Sequence, residues 1–69
     1  MATYHFIAAY ATDDKDLGTK HLEIVIPHRH DRITVWQKAA RAAEEHRLVE
    51  FAGVLGAKLD TLTFDYETN

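Results

Sequence analysis

A single stretch of helical periodicity, with segments that alternate every second residue on either side of it, limits this chain to a helix packed on a sheet. On a helical wheel, the stretch from about Arg32 to Arg47 has an apolar half that consists of Ile33, Val35, Trp36, Ala39, Ala40, Ala42 and Ala43. The alanines allow a close approach to a sheet, and Trp36 is the one bulky anchor of this half. Asp31 stands immediately before the stretch, where an acidic side chain can cap the first turn of a helix.

Two alternating segments near the amino terminus predict an antiparallel hairpin. In residues 3–11 one face carries Tyr4, Phe6, Ala8 and Tyr10, and the other carries His5, Ile7 and Ala9. A polar stretch at residues 12–19 supplies turn formers, and the run after it places Leu22, Ile24 and Ile26 opposite Glu23 and Val25. Pro27 has no N–H to donate to a sheet, so the second strand is expected to end there.

The carboxyl-terminal third predicts one further strand and does not decide whether a second one forms. Alternation typical of a strand sets Leu62, Phe64 and Tyr66 against Thr61, Thr63 and Asp65. Residues 48–55 fit a strand or a short helix, and the strand is favoured because Gly53 and Gly56 are costly inside a helix. The expected fold is one α/β domain of the α+β type over residues 1–69. It is a two-layer sandwich, an antiparallel three- or four-stranded sheet with one amphipathic helix on one face, in the order ββαβ or ββαββ.

The small size of the chain makes association the expected source of added stability. A chain of 69 residues buries only about 60% of the surface that its unfolded form exposes. With no cysteine, it lacks the disulfides and thiolate metal sites that reinforce many small domains. A short open sheet also presents unpaired edges. We therefore expect a homo-oligomer, in the simplest case a homodimer joined through sheet edges or through an exposed sheet face.

Charge and hydropathy remove two classes of partner from consideration. The formal net charge of −3 and the isoelectric point of about 5.9 argue against a broad nucleic-acid binder, which works through a positive field. No apolar run approaches the ~20 residues that cross a bilayer, so no membrane partner is expected. The amino-terminal segment has no basic stretch ahead of its apolar residues and does not resemble a signal peptide. A cytoplasmic location is therefore expected.

The cluster between the second strand and the helix is the best candidate for ligand chemistry. Its candidate anion-binding residues are His28, Arg29, His30 and Arg32, beside the free N–H groups of a helix start. A metal is a second interpretation, because His28 and His30 point the same way in an extended segment. No third ligand is evident, since His21 and Glu23 lie further back along the strand. In the remaining interpretation the cluster is a solvated connection in which Asp31 caps the helix. We expect no bound metal and no cofactor.

No arrangement in the sequence indicates catalysis. There is no cysteine and no serine, no threonine stands beside an evident base, and a thin core rarely encloses a pocket that excludes water. The expected function is a non-enzymatic protein-interaction module, a small regulator or inhibitor that docks on a larger protein. Its expected partner-binding residues are His5, Ile7, Ala9 and Val25, on the hairpin face away from the helix. The alternatives are a small protein that binds an anion or metal at residues 28–32 and a small oligomeric enzyme whose site forms at a subunit interface.

Overall fold

A three-stranded antiparallel sheet carries one helix on one of its faces, as the sequence predicts. The computed structural model describes residues 1–27 and 31–68. Its elements are β1 (Ala2–Ala11), β2 (Asp16–Ile26), α1 (Arg32–Glu50) and β3 (Lys58–Thr68). The strand order is β2-β1-β3, so the first strand of the chain lies at the centre of the sheet. The ββαβ form of the expected fold is therefore confirmed. Within the described ranges, no helix has the length and apolar character needed to cross a membrane.

The hairpin of β1 and β2 closes through a shorter turn than the polar stretch predicts. The Thr12 hydroxyl accepts hydrogen bonds from the N–H groups of Asp14 and Lys15, each at 3.2 Å, and β2 begins at Asp16. Leu17 is the extra residue of a bulge, because Tyr10 pairs with Gly18 and the next residue of β1 pairs with Asp16. Gly18 has a φ of 108°, which a residue with a side chain rarely adopts. The bulge lets the strand begin inside a segment that resembles a loop in sequence.

The core lies between the sheet and a stripe of small residues on α1. Its buried residues are Phe6, Ala8, Tyr10, Leu22, Ile26, Val35, Ala39 and Ala43. Ala39 and Ala43 are fully buried and bring the helix close to the sheet. Ile33 and Ala40, which the helical wheel placed on the same apolar half, are exposed, so the buried stripe is narrower than predicted. Trp36 is 38% exposed and lies at the margin of the interface, where it packs edge-on against Phe6 with ring centroids 4.8 Å apart. The largest buried side chains come from the strands instead, so Trp36 is not the central anchor.

The strand expected at residues 48–55 does not form, because turns occupy residues 51–56 and the helix continues past the predicted end at Arg47. The helix ends at Glu50, and the N–H of Phe51 donates to the Arg47 carbonyl at 3.0 Å. The Phe51 ring packs on Tyr10 at 5.1 Å, which gives the end of the helix an attachment to the core. Gly53 and Gly56 both lie beyond the helix in the turns that lead to β3, so their helix penalty does not apply.

Two bulges in β3 change which of its side chains face the helix. Tyr10 pairs with Leu59 and Ala9 with Thr61, which leaves Asp60 as an extra residue. In the same way, Phe6 pairs with Phe64 and His5 with Tyr66, which leaves Asp65 unpaired. The alternation predicted for Leu62, Phe64 and Tyr66 is therefore wrong at its last residue. Leu62 and Phe64 share the helix side, whereas Tyr66 lies on the opposite face with His5, because each bulge shifts the two-residue period by one.

The start of α1 yields one prediction. Asp31 is the N-cap, as expected, and its Oδ1 accepts a hydrogen bond from the Thr34 N–H at 2.7 Å. Replacing Asp31 with Ala should lower the free energy of unfolding by about 0.5–2 kcal/mol, because one N–H of the first turn loses its partner. The control is Asp31→Asn, which keeps a side-chain oxygen at the cap. Equal stability of the two variants in urea denaturation would contradict this assignment.

A second prediction concerns the buried hydroxyl of Tyr10, which donates to the Ala43 carbonyl at 2.7 Å. Removing it in Tyr10→Phe should cost about 1 kcal/mol of stability near neutral pH. Burial, with a contribution from the Glu44 carboxylate, raises the pKa of Tyr10. The neutral phenol therefore favours folding fully below the unfolded pKa of about 10, and this contribution is lost as pH rises through the folded pKa.

The stability difference between the wild type and Tyr10→Phe should accordingly shrink above about pH 10, the unfolded pKa. Urea denaturation at neutral and alkaline pH measures it. Tyr4→Phe is the matched control, because Tyr4 lies on the same face of β1 but only partly in the core. A difference that stays constant with pH would show that the Tyr10 hydroxyl does not couple folding to ionisation.

Candidate functional site

The face of the sheet opposite α1, called the outer face below, carries all four predicted partner-binding residues. His5, Ile7 and Ala9 project from β1, and Val25 of β2 pairs with Thr3 on the same face. Their exposure differs widely. Val25 is 55% exposed and Ile7 and Ala9 are half-buried, but His5 is only 7% exposed. The structure therefore brings the four residues onto one face, with His5 largely covered by its neighbours.

His5 is covered because three strands contribute side chains around its ring. Its Nδ1 lies 2.8 Å from Nε2 of His21 in β2, and its Nε2 lies 3.2 Å from the Thr68 hydroxyl in β3. Tyr66 stacks on the His5 ring with centroids 4.1 Å apart and planes inclined by 8°. The Asp65 bulge brings Tyr66 and Thr68 to this face. Both ring nitrogens of His5 are thus engaged and its plane is fixed.

His5, His21 and Glu23 form a group of side chains that can hold a metal ion. One ligand atom from each lies within 4.8 Å of the other two. The strand register explains the grouping, because Glu23 pairs directly with His5 and His21 pairs with Ile7, the next residue of β1 on this face. The sequence prediction missed the group by considering His21 and Glu23 only as partners of residues further along the same strand. The pairing of residues across the hairpin was the signal that could have found it.

A second candidate surface lies between α1 and β3, on the helix side of the sheet. An open apolar groove there is lined by Arg32, Ile33, Trp36, Gln37, Ala40 and Leu62. Ile33 is 70% exposed, and Phe64 is exposed on the adjoining part of β3. The buried ring of Phe6 contacts both sides of the groove, because it packs edge-on against Trp36 of α1 and Phe64 of β3. The groove therefore combines aromatic side chains with an edge strand.

The predicted anion-binding cluster is only partly within the described structure. His28, Arg29 and His30 lie outside the described residues. Arg32 is exposed at the first residue of α1 and lines the groove beside Trp36. Anion binding by these four residues stays a prediction.

These surfaces have to be interpreted from their own chemistry. The chain matches no protein-family model, no curated protein and no solved structure.

Proposed function

We propose that this chain is a non-enzymatic protein-interaction module, a small regulator or inhibitor that docks on a larger protein through the edge of β3. The observation that carries the proposal is the apolar groove that runs beside this edge strand. The proposed setting is the cytoplasm. The partner-binding role of His5, Ile7, Ala9 and Val25 stays a prediction, and the groove is the surface for which partner chemistry can be argued in more detail.

The edge of β3 can accept an additional strand. β3 pairs with β1 on one side and with no described strand on the other. An unpaired edge offers backbone N–H and C=O groups to an extended segment of another protein, and these hydrogen bonds provide affinity. Pockets beside the edge then select the side chains of the added strand.

The groove supplies such a pocket on the helix side. An added strand that continues the sheet places every second side chain on that side, next to Trp36 and Ile33. Exposed aromatic side chains in a concave apolar setting are the residues that most often dominate binding energy. Gln37 and Arg32 line the groove through their carbon atoms, because almost all of its surface is apolar.

The charges of β3 favour a different protein over a second copy of this chain. Asp60 and Asp65 flank the regular stretch Thr61–Phe64. Antiparallel self-pairing centred on that stretch brings Asp60 of one copy beside Asp65 of the other, and like charges across strands are destabilising. A partner strand with an apolar centre and a basic residue at each end avoids this repulsion. We therefore expect the partner to present an extended apolar segment flanked by lysine or arginine.

A labelled peptide tests the docking proposal. The probe is a heptapeptide in which valine and threonine alternate between terminal lysines, and fluorescence anisotropy measures its binding. Ile33→Glu and Ala40→Glu, both at exposed positions beside the groove, should weaken binding by about tenfold or more. Val49→Glu is the matched control, because Val49 is 81% exposed on the same helix and does not line the groove.

The same peptide with terminal glutamates should bind more weakly than the lysine form, because Asp60 and Asp65 then repel it. Equal affinity of Ile33→Glu and Val49→Glu for the lysine peptide would contradict docking at the groove and the edge of β3. Equal affinity of the wild type for the lysine and glutamate peptides would contradict it as well.

We also propose that the chain forms a homodimer through the opposite edge of the sheet. Symmetric antiparallel pairing of two β2 strands centred on Leu22 sets no like charges opposite each other over residues 18–26. This pairing leaves β3 available for the larger partner. It also pairs the open edge of β2, so that the backbone N–H and C=O groups of this edge gain hydrogen-bond partners.

Light scattering during size exclusion at micromolar concentration should give twice the monomer mass of 7.9 kDa. Ile7→Lys and Val25→Glu change the outer face but not the backbone edge of β2, so both variants should remain dimeric. A dimer lost in these variants would assign the contact to the outer face, and a monomeric wild type would contradict self-association altogether.

A further inference from the structure

We propose that the outer face holds a zinc ion, bound by Nδ1 of His5, Nε2 of His21 and a carboxylate oxygen of Glu23. The proposal is independent of docking at β3, because the groove and the outer face lie on opposite sides of the sheet. It also departs from the sequence-based expectation of no bound metal, since the three ligands come together only through pairing of β1 with β2.

The distances between the ligand atoms fit the ion after a small adjustment. The two imidazole nitrogens lie 2.8 Å apart, and all three ligand atoms lie within 4.8 Å of one another. Zinc–nitrogen bonds of about 2.0–2.1 Å in a tetrahedral site place two nitrogens about 3.3 Å apart. The nitrogen pair therefore has to open by roughly 0.5 Å, and the carboxylate oxygen has to move closer by at most about 1.5 Å. His21 and Glu23 are both exposed, so their side chains can make these movements without disturbing the core.

The surroundings of His5 prepare it for this role. The Thr68 hydroxyl can accept a hydrogen bond from Nε2–H of His5, which leaves Nδ1 without a proton and directed at His21. A metal-binding histidine usually has its second ring nitrogen held by such a partner. The stacked Tyr66 ring fixes the plane of the imidazole. Binding of the ion at Nε2 of His21 requires the neutral ring to carry its proton on Nδ1 instead.

The donor set separates transition metals from the hard cations. Two imidazoles and one carboxylate suit zinc, as they suit copper, nickel and iron, whereas calcium and magnesium prefer oxygen ligands alone. Because the protein provides three ligands on an open face, the fourth position of a tetrahedral ion stays available for water or for a group from another molecule. Catalytic zinc sites in other proteins have the same arrangement of three protein ligands and one position open to water or substrate.

Calorimetric titration of the full, tag-free chain with zinc chloride tests the site. The wild type should bind one ion per chain. His21→Ala and Glu23→Gln change exposed residues and should retain the fold, which circular dichroism checks. Each should weaken binding by more than the 10–100-fold typical of losing a group that hydrogen-bonds to a metal ligand. Thr68→Val removes only the partner of His5 Nε2 and should cost about tenfold.

The double variant His28→Ala, His30→Ala is the control, because it removes both histidines of the alternative cluster and leaves His5, His21 and Glu23 unchanged. Its zinc affinity should equal that of the wild type. Nitrogen NMR of the histidine rings gives a readout independent of affinity, with zinc shifting Nδ1 of His5 and Nε2 of His21 while Nε2 of His5 keeps its proton.

Zinc binding that is lost in the His28, His30 double variant and retained in His21→Ala would overturn the proposal in favour of the other cluster. Binding unchanged in every variant, or no binding to the wild type at micromolar protein, would overturn it as well. A calcium affinity equal to that for zinc would contradict the assignment of the donor set.

Discussion

Packing of β1 against its neighbours is the constraint on which the other elements depend. It is the central strand, so both of its edges are hydrogen-bonded, to β2 on one side and β3 on the other. Its helix-facing side chains Phe6, Ala8 and Tyr10 are buried under the Ala39 and Ala43 stripe. The Tyr10 hydroxyl then joins the sheet to the helix backbone at Ala43. A chain with so few core residues needs this concentration of burial on one strand, because little apolar area is available elsewhere.

The bulges in β3 connect the fold to the surfaces that are proposed to bind ligands. An ideal strand would place Leu62, Phe64 and Tyr66 on one face. The extra residue Asp65 instead leaves Phe64 beside the groove and moves Tyr66 to the outer face, where its ring covers His5. The bulge residues also carry the negative charges that disfavour pairing between two β3 strands. One irregularity thereby supplies an aromatic residue to each side of the sheet.

The two proposed functions occupy opposite faces and draw on different parts of the molecule. The groove depends on α1 and β3 on the helix side, and the proposed zinc ligands belong to β1 and β2 on the outer face. The two proposed sites share no residue, so binding at one leaves the other accessible. Both sites depend on the pairing of β1 with β3, because its register places Phe64 beside the groove and Tyr66 over His5.

The sequence by itself determined the strands of the hairpin, the start of the helix with its Asp31 cap, the buried alanines Ala39 and Ala43 and the final strand. Each follows from local periodicity or a single capping residue, and these features act over a few neighbouring residues. It predicted the end of the helix less well, because the contact of Phe51 with Tyr10 is distant in sequence. Tertiary structure alone decided the marginal place of Trp36, the two bulges and the grouping of His5, His21 and Glu23. These depend on which strands pair and in which register, and that choice is made by packing between segments far apart in the chain.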